Sequence, residues 1–197
     1  IKSIPNLREL ESLEEISASN NQSRGKISFK NFPSLRRVQL GLTFISTVSF
    51  SDLPSLSEVS LDNNLLESAK FINCPDLREL NCSYNFLKET PILDNVMGLT
   101  KIQLECNEIE NIHESLYNIE KLSRLSLSQN QITEISPNIT NLTGIFEINM
   151  NWNNLTSLPD NIGELSSLKA LNCSFNSIQR IPDSLGNIEG LELVLFS

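Results

Sequence analysis

The stretch Leu122-Ser-Arg-Leu125-Ser-Leu127-Ser-Gln-Asn130-Gln-Ile132 decides how the chain is read. Leucines stand at offsets zero, three and five, an asparagine at eight and an isoleucine at ten. The pattern returns as Leu168, Leu171, Cys173, Asn176, Ile178 and as Leu99, Ile102, Leu104, Asn107, Ile109. Outward from Asn130, the asparagine position recurs at Asn107, Asn85, Asn64, Thr43 and Asn21 in one direction, and at Asn153 and Asn176 in the other. A period near twenty-two residues marks a solenoid, in which no unit buries its apolar face alone and neighbours complete the core.

Two leucines two residues apart point the same way from a short strand, so stacking the units side by side gives one parallel sheet. Return-limb residues such as Ile119 and Leu165 close the core from the other side. The asparagine has a separate task. Its amide both donates and accepts, so where the chain turns inward it satisfies backbone groups that burial would leave without partners. The expected asparagine ladder is Asn21, Asn64, Asn85, Asn107, Asn130, Asn153 and Asn176. Thr43 interrupts it as the weakest match, retaining the capacity to accept one backbone hydrogen bond.

This repeat resembles the leucine-rich repeat family over essentially all 197 residues. The resemblance implies an α/β fold: a curved leucine-rich repeat solenoid with a parallel sheet on its concave face. Short helices, 3₁₀ turns or extended segments line the convex face. From Asn107 onward the spacing is a steady twenty-three residues, against twenty-one or twenty-two before it. Shorter units leave less chain for the outer limb. Extended or turn-like outer segments are therefore expected in the first half. Short helices or 3₁₀ turns are expected in the second, as at Pro159-Asp-Asn-Ile162-Gly-Glu-Leu165 and Pro182-Asp-Ser-Leu185-Gly-Asn-Ile188. Two places read as irregular: a loop or loose return limb over 22–34, and a short bulge around Pro91-Ile-Leu-Asp-Asn-Val96. Ile1, Ile4, Pro5 and Leu7 already keep the repeat frame, and Leu191, Val194 and Phe196 continue it. Residues 1–197 are thus expected to be a single repeat domain, open at both ends and a fragment of a longer protein.

Charge and composition narrow the function. Twenty-four acidic residues against fifteen basic give a formal charge of -9. With no basic cluster beyond Arg36-Arg37, nonspecific binding to nucleic acid or an anionic membrane is disfavoured. No apolar run is long enough to span a bilayer, so no membrane insertion is expected. Cys74, Cys82 and Cys173 occupy inward positions as small apolar residues, while Cys106 falls beside the asparagine position and reads as exposed. Unpaired cysteines point to a reducing, cytoplasmic setting. Six Asn-x-Ser/Thr sequons, at Asn21, Asn81, Asn138, Asn141, Asn154 and Asn172, keep secretion open. Asn21, in the ladder, should be buried beyond reach of a glycan.

No catalytic constellation is legible. His113, the single histidine, reads as a solvated residue of an outer limb. The cysteines lack metal-ligand spacing, and the glycines form no phosphate-cradling loop. No catalytic residue, metal site or cofactor is expected.

The candidate working surface is the concave wall. Its central stripe is polar and uncharged and includes Gln103, Asn149 and Asn172. One flank carries Arg37, Lys101 and Arg124 between glutamates, able either to read an acidic partner or to pair with those glutamates. At the strands' C-terminal edge Tyr84, Trp152 and Phe175 fall at one repeat position. Exposed aromatics there are typical of interface anchors; the alternative is that the rings pack on their own repeat. Arg37, Tyr84, Gln103, Arg124, Asn149, Trp152, Asn172 and Phe175 are the candidate binding residues.

The motifs Leu158-Pro159-Asp-Asn-Ile162-Gly163 and Ile181-Pro182-Asp-Ser-Leu185-Gly186 are similar to the intracellular subclass of twenty-three-residue repeats. That subclass occurs in Ras-pathway scaffolds and in the repeat region of fungal adenylyl cyclases. The resemblance implies a cytoplasmic protein-binding scaffold in signalling, with another protein as partner, a small GTPase among the candidates. Two other readings stay open: an extracellular or cell-surface recognition domain, and the regulatory repeat region of a larger enzyme.

Overall fold

The computed structural model describes residues 10–196; the repeat positions Ile1, Ile4, Pro5 and Leu7 lie outside the described residues. Nine short strands form the inner wall: Glu15–Ser17, Arg37–Gln39, Glu58–Ser60, Glu79–Asn81, Lys101–Gln103, Arg124–Ser126, Glu147–Asn149, Ala170–Asn172 and Leu193–Leu195. They pair in parallel, each with the next in chain order, in unbroken register from Ile16↔Val38 to Leu171↔Val194. Every strand puts its middle residue inward, where Val38, Leu80, Ile102, Leu125 and Leu171 are buried. This is the curved leucine-rich repeat solenoid with its parallel sheet. Among the described residues its helical segments are all short 3₁₀ turns.

The outer wall is of two kinds. In the second half it consists of the 3₁₀ turns Glu114–Asn118, Pro137–Asn141, Ile162–Glu164 and Asp183–Asn187. In the first half it is a second parallel sheet of four strands, Arg24–Lys30, Phe44–Ser51, Ser68–Ile72 and Ile92–Asp94. Two expectations are corrected here. Residues 22–34 are not a loop: Arg24–Lys30 is a seven-residue strand paired with Phe44–Ser51. Nor is 91–96 a bulge, since Ile92–Asp94 is the last strand of this sheet.

The reason is aromatic. Phe29, Phe50 and Phe71 stand opposite one another in register and stack with ring centroids 5.1 Å and 4.9 Å apart, close to the spacing of adjacent strands. Phe32 meets Phe29 edge-on at 6.2 Å. The polar residues of Arg24–Lys30 are the solvent-facing half of an alternation whose inward half ends on Phe29.

The units turn through left-handed backbone at the inner corner, and those of the first half do so again at the outer one. The inner corner has φ near +55° at Asn20, Leu42, Asn63, Tyr84, Cys106, Gln129, Trp152 and Phe175. The outer corner of the first half has it at Asn31, Asp52, Asn73 and Asn95. Asparagine and aspartate tolerate this region better than other non-glycine residues. The outer corners also bond to one another: Asn73 Nδ2 donates to Asp52 Oδ1 at 2.8 Å, and Asn95 Nδ2 to Asn73 Oδ1 at 3.2 Å.

Just past each inner corner the asparagine side chain bridges two rungs. Asn130 Nδ2 donates to Leu127 O of its own rung and Leu104 O of the preceding one, both at 3.0 Å, while its Oδ1 accepts from Ile109 N at 2.9 Å. Asn64, Asn85, Asn107, Asn153 and Asn176 repeat this geometry. Thr43 fills its place by donating rather than accepting: its hydroxyl meets Leu40 O at 3.1 Å and also contacts Asn64 Oδ1. Asn21 donates to Ala18 O and Ser19 O but is only half-buried, contrary to the expectation for its sequon.

Replacing Asn130 by alanine removes these bonds and supplies no other partner. Each buried group left unpaired costs about 1 to 3 kcal/mol, so urea unfolding should show a loss of at least that size. Phe50→Ala, which empties the middle of the aromatic stack, should cost about 3 to 5 kcal/mol in the same measurement.

Candidate functional site

The concave wall presents the alternate residues of the inner strands. Its charged flank is internally paired. Arg37 Nε donates to Glu58 Oε2 at 2.9 Å, and Arg37 Nη1 lies 3.6 Å from Glu15. The hydrogen bond and charge of Glu58, helped by Glu15, raise the Arg37 guanidinium further above its ordinary value. Arg124 lies 3.6 Å from Glu147, and Lys101 lies 4.0 Å from Glu79. These pairs are exposed and contribute little to stability. Their effect is to leave the flank without a free row of positive charge.

The central stripe is more pointed. Asn149 Oδ1 accepts from the backbone N–H of Asn151 at 3.3 Å, and Asn172 Oδ1 from that of Ser174 at 3.0 Å. A backbone N–H can only donate, which engages the oxygen of each amide along its own strand and leaves its NH₂ as the group offered to the open face. Asn149 and Asn172 are register partners, so two amide donors stand side by side.

Beside them lie Trp152 and Phe175, stacked at a centroid distance of 4.0 Å and 11° from parallel. They are 51% and 53% exposed, so packing on one another does not bury them. Both occupy the left-handed inner corner, at φ +56° and +55°. For a bulky side chain that conformation costs about 1 to 2 kcal/mol. Asn20 and Asn63 show what the corner accepts more readily.

Tyr84, also at this corner, adjoins a shallow recess shared with Gln103, Asp62 and Glu105. Its hydroxyl is raised above the usual tyrosine value, first by a hydrogen bond with Cys106. Cys106 Sγ in turn contacts Gln129 Oε1 at 2.6 Å, continuing the row along the rim.

The structure therefore brings together Asn149, Asn172, Trp152 and Phe175 on two neighbouring rungs. Gln103, Arg124 and Asn149 line a second shallow recess. Arg37 stands apart, on the second inner strand. Sequence reasoning missed Phe44, Leu65 and Phe86, exposed apolar side chains on the same rim, and left Leu42, in the column of Trp152, outside the candidate set. The signal was available: Phe44, Leu65 and Phe86 each follow a ladder position, where later units carry Glu108, Gln131, Asn154 and Ser177.

His113 is corrected from a solvated limb residue to a half-buried cap. Its Nδ1 accepts from Ser115 N at 3.2 Å and pairs with Ser115 Oγ at 2.8 Å, starting the first 3₁₀ turn. Ser115 Oγ also accepts from Leu93 N at 3.0 Å, joining this turn to the last outer strand. Among the described residues no cluster of histidine, cysteine, aspartate and glutamate is arranged to hold a metal ion. No helix among them is long and apolar enough to cross a membrane.

The repeat, its parallel inner sheet and its bridging asparagines define a class. Residues 97–155 match one leucine-rich repeat family model, and residues 167–188 match another. These matches support the leucine-rich repeat family for this chain. Solved structures share the fold. A leucine-rich repeat protein of Leptospira interrogans superposes with a TM-score of 0.78 at 19% identity, over 99% of this chain and 52% of the other. Internalin C2 from Listeria monocytogenes gives 0.71 at 19% identity, over 95% and 82%. The plant peptide hormone receptor RGFR1, solved in complex with RGF2, gives 0.65 at 23%, over 98% and 41%. The chain thus spans about half the length of the Leptospira protein. No curated protein matches the sequence.

The thiols give a direct check of the geometry. Burial raises the Cys74 thiol to about 11 and Cys173 to about 12, and pushes Cys82 up as well. Cys106 alone of the four is partly exposed. One thiol per native chain should react rapidly with a disulfide reagent near pH 8, and all four after denaturation; Cys106→Ser should remove the fast reaction. A second fast thiol in the native chain would contradict the inner-wall assignment of the others.

Proposed function

We propose that this chain is a non-enzymatic protein-binding module that holds its partner on the concave wall and rim, with Trp152 and Phe175 as the anchor. One observation carries the reading. Two large rings are kept half-exposed at a backbone position that disfavours them, next to two outward amide donors. Strain held at an exposed site is a reason to look for function there. A paired aromatic anchor beside oriented hydrogen-bond donors suits a polypeptide, whose carbonyl groups accept and whose apolar side chains pack on the rings. Within this reading the setting is cytoplasmic signalling, supported by the four free cysteines and the twenty-three-residue motifs of the second half. A small GTPase is one candidate partner.

A second reading, an extracellular recognition domain, is favoured by the exposure of the sequon residues Asn138, Asn141 and Asn154. The mass of protein from its native source separates the two, since glycans at those sites rule out the cytoplasmic setting.

The anchor is tested by replacing Trp152 and Phe175 together with alanine, then measuring thermal stability and affinity for a partner recovered from the native source. Stability should change by less than about 0.5 kcal/mol, as for surface positions. Binding should fall by at least about 2 kcal/mol, near thirtyfold. Retained binding, or a large loss of stability, would assign the rings to local packing.

A further inference from the structure

The same rim carries a second apolar surface, three to five rungs from the tryptophan. Leu42, Phe44, Leu65, Tyr84 and Phe86 occupy three consecutive units and are between 42% and 57% exposed. Backbone bonds hold those units rung to rung: Leu42 N donates to Asp62 O, Leu65 N to Ile45 O, and Phe86 N to Leu66 O, all at 2.9 Å. Phe44, Leu65 and Phe86 therefore stand in one unbroken row about 5 Å apart rung to rung, and Leu42 and Tyr84 in a second whose middle place is Asn63. Arg24 closes one end, its guanidinium 5.1 Å above the Phe44 ring. Scattered exposed leucines are ordinary on a protein surface, but a contiguous patch of large apolar side chains marks an interface.

The charge around the patch is mostly acidic. Asp62 and Glu105 flank it on the concave side, Glu67 and Glu110 on the other, and Glu108 continues the row of Phe44, Leu65 and Phe86 one unit on. Neighbouring backbone bonds place them there: Glu67 N donates to Ser46 O, Glu108 N to Leu87 O and Glu110 N to Lys88 O. Every ion pair within 4.0 Å among the described residues involves other acids, so none of these five is neutralised that way. Asp62 and Glu105 accept only neutral donors, from Ser60 and Asn63 and from Ser83 respectively. Lys88 is the one basic side chain of the patch besides Arg24.

We infer that the rim patch of Leu42, Phe44, Leu65, Tyr84 and Phe86 is a docking surface for a protein segment whose apolar side chains are flanked by lysine or arginine. The inference rests on the reading of the chain as a protein-binding module and gives that reading a second contact of stated chemistry. Apolar side chains of the segment cover the two rows, and its basic groups meet carboxylates that have no cation of their own. The Coulombic part steers encounter and selects against acidic segments, while apolar burial supplies the affinity. Cys106, Glu108, Gln129 and Gln131 separate this surface from Trp152 and Phe175, so the two are independent contacts.

The probe is a fluorescently labelled synthetic peptide of alternating leucine and lysine, compared with its leucine–glutamate counterpart by fluorescence anisotropy. The leucine–lysine peptide should bind and the counterpart should not. Phe44→Ser with Phe86→Ser should weaken binding at least about tenfold, and so should Asp62→Asn with Glu105→Gln and Glu108→Gln. Thermal melts establish that each variant is folded. Should the double phenylalanine variant unfold, Leu65→Lys, which places a like charge at an already exposed position, must produce the same loss. Equal binding of the two peptides, or unchanged binding by the folded patch variants, overturns the inference. So does loss of peptide binding only on replacing Trp152 and Phe175, a result that leaves the anchor reading intact. Sedimentation of the chain alone supplies the last arm: a dimer that Phe44→Ser with Phe86→Ser dissociates would give the patch to a second copy.

Discussion

The structure depends on what one amide does between two rungs. Asn130 joins the carbonyls of Leu127 and Leu104 and the N–H of Ile109, three backbone groups that the corner withdraws from water and that the inner sheet cannot reach. Without that bridge, the chain could not turn away from a short strand with its core dry. With it, three residues suffice for each inner strand. Because the bridge reaches into the neighbouring unit, no unit is satisfied alone. Apolar burial supplies the driving force, and the amide sets the rung-to-rung register in which that burial occurs.

The inner wall was legible because its determinants are local and repeated. Leu122, Leu125, Leu127 and Asn130 carry their meaning within nine residues, and the sequence repeats it. The outer wall was only half legible. The shift from extended segments to 3₁₀ turns followed from unit length, and Pro159 and Pro182 marked the later turns. The outer sheet escaped because Phe29, Phe50 and Phe71 make sense only together, at separations of twenty-one residues. Read alone, Arg24-Gly-Lys-Ile-Ser-Phe-Lys is a polar run. One signal could have exposed it: Asn31, Asp52 and Asn73 are each followed by an apolar residue, then proline, then leucine two residues on. All three lie at left-handed outer corners.

The candidate site was legible in position rather than in quality. Placing Trp152 and Phe175 in one column needed only counting. That their corner is left-handed, and that the amides beside them are held with donors outward, depends on backbone geometry no residue type announces. The charged flank illustrates the opposite case. Arg37, Lys101 and Arg124 could either read an acidic partner or pair with nearby glutamates, and the choice needed the geometry, in which each has a glutamate on an adjoining rung. The exposed rim residues Phe44, Leu65 and Phe86 were passed over because each stands between a buried ladder residue and a buried apolar one, Ile45, Leu66 or Leu87, whose apolar character it shares.

The two kinds of outer wall also govern the arc of the molecule. Where both walls are hydrogen-bonded sheets, each rung has the same thickness inside and out, near 5 Å, and successive rungs stack as parallel-sided slabs. Where 3₁₀ turns replace the outer strands, packing rather than a ladder of hydrogen bonds sets the outer spacing. The change falls between Ile92–Asp94 and Glu114–Asn118, at the bond from Leu93 to Ser115. A long partner would therefore meet an edge braced by hydrogen-bonded sheets on both walls along the first half, and one braced by the inner sheet alone along the second.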